Sequence, residues 1–213
     1  MNDSLSLFGA NRIFDTIPMP DAQVRFMHAF YRQPFSGTLM ERLLQEISWR
    51  QETIVLWGKE YLQPRLSAWY GDEGSRYAYS GVALNPYPWT ETLLRMRQDV
   101  EEATGYRFNS VLLNLYRNGQ DSVGWHSDNE PELGSMPVIA SLSLGETRAF
   151  RLRHRKRKDV KQVSIDLTDG SLLLMEGATQ AFWQHAIMKE KDARQPRINL
   201  TFRTILDREQ GRR

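Results

Sequence analysis

The chain has 213 residues, of which 40% are apolar and 11% aromatic; that is enough to close a buried core and excludes a disordered tail. Cysteine is absent, which excludes a disulfide scaffold, a cysteine nucleophile, a zinc finger and an iron–sulfur site, but leaves metals bound by histidine and carboxylate open. The 28 basic and 26 acidic residues give a formal charge of +2, and no run approaches the roughly 18 apolar residues of a membrane helix. Met1-Asn2-Asp3-Ser4 lacks the charged and apolar regions of a signal peptide. The expectation by elimination is a cytoplasmic protein without a membrane partner.

Residues 1–20 read as irregular, closed by Pro18 and Pro20. Leu39, Leu43, Leu44 and Ile47 recur at helical spacing and predict a helix over 36–47. Residues 51–88 are rich in glycine and aromatics, with Trp57, Tyr61, Trp69, Tyr70, Tyr77, Tyr79 and Tyr87. Such a set either packs in a core or stacks on flat ligands such as bases. A second helix is predicted over 89–104, with Thr90 as its cap and Gly105 as its stop.

The second half changes character. The runs SVLLNLY, PVIASLSL, RAFRLRH, QVSIDL, GSLLLME, FWQHAIM and RINLTFRTI read as strands. They are separated by turn signals at Asn118-Gly119, Gly145-Glu146, Asp169-Gly170 and Gly177. Short strands at that spacing predict a β-sandwich or jelly roll, and two helices ahead of it would pack on one sheet. The expected class is α+β.

Charge is uneven. Residues 148–161, RAFRLRHRKRKDVK, hold five arginines and three lysines against one aspartate. A local surplus of that size attracts nucleic-acid phosphates, or is a solvated hairpin.

His126 and Asp128 stand two apart in GWHSDNE, and His185 follows 59 residues later in FWQHAIM. On an extended strand, residues two apart face the same side. Two imidazoles and one carboxylate on neighbouring strands would form a facial triad with open positions, as in non-haem Fe(II) oxygenases. The same donors suit a hydrolytic zinc ion, and a histidine in a strand is also often a satisfied core residue. In RINLTFRTI, Arg197, Asn199, Thr201 and Arg203 alternate with Ile198, Leu200, Phe202 and Thr204. Two arginines on one buried face call for an anion, and a dicarboxylate matches their fork; an internal salt bridge or an exposed polar face is the alternative. Asn114 and Tyr116 repeat the pattern on the earlier strand.

The combination of PRLSAWYGD, YAYSG, LNLYRNGQDSVGWHSD, GSLLLM, HAI and PRINLTFR resembles the AlkB family of Fe(II)- and 2-oxoglutarate-dependent dioxygenases, over about residues 56–205. The closest likeness is to the branch acting on alkylated bases in duplex or single-stranded DNA. The resemblance implies a double-stranded β-helix, a jelly-roll variant, in which His126, Asp128 and His185 ligate Fe(II). Arg203 would clamp the distal carboxylate of 2-oxoglutarate. Asn114, Tyr116, Arg197, Asn199 and Thr201 would complete the pocket, with O2 as the oxidant. The implied reaction hydroxylates the N-alkyl carbon of 1-methyladenine or 3-methylcytosine, and the product collapses to formaldehyde and the restored base. Succinate and CO2 leave as coproducts.

A base inside a stacked duplex is out of reach of such a centre and must be flipped out. Tyr77 and Tyr79 match the family's base-recognition loop, with Tyr77 stacking on one face of the base. Leu56-Trp57-Gly58-Lys59 matches a hairpin that wedges into the vacated stack. Asn129 stands where the family often has a second acid, and Glu130 follows; both are expected near the exocyclic group of the base. The implied organisation is one catalytic domain over 1–213. Within it lie an N-terminal extension and helix (1–50), a nucleotide-recognition lid (51–88) and a jelly-roll core (106–206). The implied partner is alkylated DNA, with RNA or protein dealkylation and a nucleic-acid-binding module with a structural metal as rivals, and the chain is expected to be a monomer.

Overall fold

The computed structural model describes residues 13–56, 58–74, 77–79, 82–191 and 195–206. Its centre is a pair of facing antiparallel sheets. The chain weaves between them, as in a jelly roll. β8 (Ser110–Tyr116), β10 (Ile139–Gly145), β13 (Leu172–Glu176) and β15 (Arg197–Arg203) lie in one sheet. β9 (Val123–His126), β11 (Arg148–His154), β12 (Val163–Leu167) and β14 (Trp183–Ile187) form the other, in the order β12-β11-β14-β9. The large sheet is extended on one side by β1 (Asp15–Ile17) and β2 (Gln23–Met27), and on the other by β5 (Leu66–Gly71).

Two additions depart from the sequence reading. Residues 15–17 and 23–27 lie in or beside a stretch read as irregular, yet β2 pairs with β13 from Leu172↔Met27 to Glu176↔Gln23. The span 51–88 is not a lid throughout. β5 pairs with β8 along its length, Tyr70 is buried, and Trp69 and Tyr87 pack against the core. What stands off the sheets is a pair of hairpins: β3 (Thr53–Leu56) with β4 (Lys59–Leu62), and β6 (Tyr77–Tyr79) with β7 (Val82–Leu84).

Period-two alternation divides the large sheet into two unlike faces. Ile198, Leu200 and Phe202 join Val111, Leu113, Leu142, Leu172 and Leu174 under α1 (Phe35–Glu46) and α2 (Glu91–Thr104). The helices meet that face with Leu39, Leu43, Leu93, Met96 and Val100; Leu44, counted in the helical pattern, points to solvent. The opposite face packs Phe26, Ile139, Leu173 and Met175 against Phe150, Leu152, Ile165, Leu167 and Trp183 of the small sheet.

α2 keeps the signals read from its sequence. Thr90 Oγ1 accepts from the Leu93 N–H at 3.2 Å, and Gly105 closes the helix at φ 78°, its N–H bonding Glu101 O. Gly170 is required by space as well as conformation: at φ 68°, a Cβ there would sit 1.9 Å from the Tyr31 carbonyl oxygen. Thr90 Oγ1 also donates to Glu46 Oε1 at 2.9 Å, tying α2 to α1. Thr90→Ala should therefore lower unfolding stability by about 1 kcal/mol, the usual scale of a lost cap. Denaturant titration checks this, and an unchanged midpoint would remove Thr90 as a cap.

Candidate functional site

Between the sheets, one cavity gathers nine residues singled out from the sequence. His126, Asp128 and His185 are among its lining residues. Asn114 and Tyr116 of β8 and Arg197, Asn199, Thr201 and Arg203 of β15 line it as well. His126 ends β9 and His185 sits in β14, directly opposite it in the ladder. Their rings meet edge to face at 4.3 Å, and Phe150 stacks on His185 at 5.0 Å. Asp128 lies two residues past the end of β9, so the expected same-strand geometry does not hold. A side-chain amide supplies the placement instead: Gln180 Oε1, in α3 (Thr179–Phe182), accepts from the Asp128 N–H at 3.0 Å.

One ligand-type atom from each of His126, Asp128 and His185 lies within 4.8 Å of the others. The Gly124 carbonyl lies 2.8 Å from His126 Nδ1. A carbonyl only accepts, so Nδ1 carries the proton and Nε2 keeps its lone pair for an ion. Burial alone would raise the Asp128 pKa, but the charge of Arg203 and the two imidazoles hold it below the usual carboxylate range. Burial, reinforced by His126, pushes His185 down to about 3, so it is a neutral imidazole at ordinary pH. A neutral His185 imidazole and an ionised Asp128 carboxylate are the protonation states a divalent ion needs of them.

The rest of the cavity is a polar layer set into apolar sheets. Thr201 Oγ1 donates to Asn199 Oδ1, and Asn199 Nδ2 donates to Ser141 Oγ at 2.8 Å and Leu142 O at 3.1 Å. Arg203 Nη2 donates to Asp128 Oδ1 at 2.7 Å, which puts this arginine beside the triad. Arg197 sits six residues away on the same strand and is 1% exposed. Its Nη2 reaches Ser143 Oγ at 2.9 Å, while Nε and Nη1 meet no hydrogen-bond acceptor among the described residues. Burial pushes its pKa down to about 10, still charged at neutral pH. A buried guanidinium with open donors is costly unless an anion completes it, so the cavity fits a carboxylate ligand.

Arg65 was not singled out in the sequence. It lines the cavity and donates from Nε to Asn114 Oδ1 at 2.7 Å. Its signal was weak, because Arg65 precedes β5 and no periodicity marks a residue ahead of a strand. The residues expected to meet the base lie on other elements. Gly58, at φ 75°, and exposed Lys59 form the tip of the β3–β4 hairpin; Trp57 lies outside the described residues. Tyr77 and Tyr79 lie on β6, opposite Leu84 and Val82. Asn129 is exposed, and neither it nor Glu130 is among the described residues lining the cavity. In the basic run, Arg148 is not a surface charge: it is buried, with its guanidinium bonded inside the protein. Arg151, Arg155, Lys156, Arg157 and Lys158 are exposed.

A family model described as the 2OG-Fe(II) oxygenase superfamily matches residues 23–203. The chain is 49% identical over 175 residues to human "Alpha-ketoglutarate-dependent dioxygenase alkB homolog 3", covering 78% of this chain and 60% of the human one. It is 43% identical over 159 residues to mouse "DNA oxidative demethylase ALKBH2", covering 72% and 66%. The chain thus spans less than two thirds of the length of these relatives. Among solved structures, that of OsALKBH1 superposes with a TM-score of 0.63 at 18% identity, covering 90% of this chain and all of that one. An oxidoreductase of the 2OG-Fe(II) oxygenase family from Burkholderia pseudomallei follows at 0.57 and 13% identity, covering 87% and 88%. The chain belongs to the 2OG-Fe(II) oxygenase superfamily and, within it, to the AlkB family.

Proposed function

We propose that this chain is an Fe(II)- and 2-oxoglutarate-dependent dioxygenase that removes alkyl groups from nitrogen atoms of nucleic-acid bases, with 1-methyladenine and 3-methylcytosine in DNA as substrates. The observation that carries the reading is the shared cavity: three ion-binding side chains at one part of it, and a buried arginine with open donors at another. His126, Asp128 and His185 would hold Fe(II), and 2-oxoglutarate would complete its coordination. When bound, the pair supplies the oxidising power of O2 to an alkyl carbon that no protein side chain could oxidise. A hydrolytic zinc ion would use the same three ligands but leave the donors of Arg197 unanswered.

The chain's own residues set the geometry. Gly124 O and Phe150 orient the two imidazoles, and the Gln180 amide fixes the backbone of Asp128. Such outer partners of metal ligands hold them in the binding orientation before the ion arrives. Arg203 is committed to Asp128. Against the expectation from sequence, Arg197, with Nε and Nη1 open, would take the distal carboxylate of 2-oxoglutarate, and Arg203 would keep Asp128 ionised and aimed. Arg203 follows Arg197 by six positions on β15, about 20 Å of strand, and both side chains line the cavity.

The choice of nucleic acid rests on the relatives, one of which is named a DNA oxidative demethylase. The two hairpins that stand off the core add support. The described part of β3–β4 exposes Val55, Tyr61 and Leu62, an apolar surface without a core of its own. An alkyl group on a Watson–Crick nitrogen weakens pairing and lowers the cost of extruding that base. The exposed arginines and lysines of 151–158 would meet phosphates, which position a strand without reading its sequence.

Incubated with Fe(II), 2-oxoglutarate and O2, the protein should release formaldehyde and succinate from oligonucleotides carrying 1-methyladenine or 3-methylcytosine. Parallel DNA and RNA substrates rank the two; no succinate above background with any methylated substrate would refute the dioxygenase reading. The two arginines should separate. Arg197→Met should raise the 2-oxoglutarate concentration needed for half-maximal rate about a hundredfold, the scale of a lost charged hydrogen-bond pair, with little change in metal requirement. Arg203→Met should chiefly weaken metal binding. The reverse pattern would return the distal carboxylate to Arg203.

A further inference from the structure

Arg148 opens the basic run, yet it is 1% exposed and faces inward. Its Nε donates to Glu190 Oε1 at 3.2 Å, Nη1 to Asn118 O at 3.3 Å, and Nη2 to Asp121 O at 3.1 Å and Met188 O at 2.7 Å. Those acceptors fall in two segments. Asn118 and Asp121 lie in the connection between Tyr116, the last residue of β8, and β9 with its His126. Met188 and Glu190 follow β14 with its His185. One guanidinium therefore ties together the two segments that leave or enter the histidine-bearing strands.

The same group stands over a ring in the cavity. Arg148 Cζ lies 5.7 Å from the Tyr116 centroid, and Arg197 Cζ lies 5.2 Å from it. Two buried guanidiniums sharing one phenol ring repel each other unless anions lie near. Of the acids at hand, Asp121 gives both carboxylate oxygens to Arg117, at 2.8 and 2.9 Å, and Glu190 holds Arg148 by its Nε. Three of the four acceptors on Arg148 are neutral carbonyls, which satisfy its donors without cancelling its charge. Their shared approach to the Tyr116 ring places the two guanidiniums within electrostatic reach; burial first, then Arg148 as a like charge, lower the Arg197 pKa, against the raising effect of Tyr116.

We propose that Arg148 is a positioning residue for the 2-oxoglutarate pocket, holding the Tyr116 ring in place and adding a second buried positive charge beside Arg197 for the far carboxylate of the dianion. The inference rests on the dioxygenase reading and deepens it. It also removes Arg148 from the charges available to a nucleic-acid strand.

The test is equilibrium binding. Mn(II)-loaded protein, which binds without turning over, is titrated calorimetrically with 2-oxoglutarate. Wild type is compared with Arg148→Gln, which removes the charge, and Arg148→Lys, which keeps it but loses the planar fork. The 2-oxoglutarate Kd should rise about tenfold or more in Arg148→Gln and less in Arg148→Lys. The Mn(II) Kd and the Kd for a methylated oligonucleotide should stay within about twofold of wild type. In a Tyr116→Leu background, Arg148→Gln should add less than it does alone, since the part carried through the ring is already lost and only the charge remains. Unchanged 2-oxoglutarate affinity in a variant with native near-UV circular dichroism would overturn the proposal. So would full additivity with Tyr116→Leu, a loss falling on the oligonucleotide instead, or failure of both variants to fold. Failure of wild type to bind 2-oxoglutarate would instead defeat the dioxygenase reading itself.

Discussion

A buried, charged layer between two apolar sheets is the feature on which the rest of the molecule depends. β15 presents Ile198, Leu200 and Phe202 to the helices, and Arg197, Asn199, Thr201 and Arg203 to the opposite sheet. Seven consecutive buried residues of that composition are tolerable only if the polar half is answered. Part of the answer is internal: Asp128 takes Arg203, Ser143 takes one nitrogen of Arg197, and Ser141 takes Asn199. The part left open, at Nε and Nη1 of Arg197, has the shape and charge of a carboxylate site. The fold therefore carries a cost in its centre that a bound anion would relieve.

The same layer explains the division of labour between the sheets. The small sheet supplies both imidazoles, opposite each other on β9 and β14. The large sheet supplies the arginines and the amide network. Neither sheet holds the site alone, so the packing of Phe150, Leu152 and Trp183 against Phe26, Ile139 and Met175 sets the distance between ion and anion. Gln180, from a single helical turn, and Arg148, from the first residue of β11, fasten the segments that strand pairing leaves loose.

Much of this was legible in the sequence because short-range rules governed it. β8 and β11 fall on the runs SVLLNLY and RAFRLRH, and α2 ends at its Thr90 and Gly105 signals, since alternation and capping are local. What escaped was set by distant partners. β2 is a strand because β13 offers it an edge, and the alternation of Val24 and Phe26 with Gln23 and Arg25 is too short to announce that alone. Asp128 reaches the triad from a loop held by Gln180, 52 residues away, and not by strand geometry. Arg148 looks like its basic neighbours in the run, and only the acceptors gathered from Asn118, Asp121, Met188 and Glu190 take it inside. Which of the two arginines meets Asp128 likewise depends on a contact 75 residues apart in sequence.

The central claim is that His126, Asp128 and His185 share one ion. Anaerobic titration with Fe(II), or with Mn(II) as a redox-quiet substitute, measures it directly. Wild type should bind one ion per chain, and alanine at any one of the three positions should remove that site while the fold survives. A stoichiometry of zero in wild type, or one ion retained when all three are replaced, would contradict the account at its root.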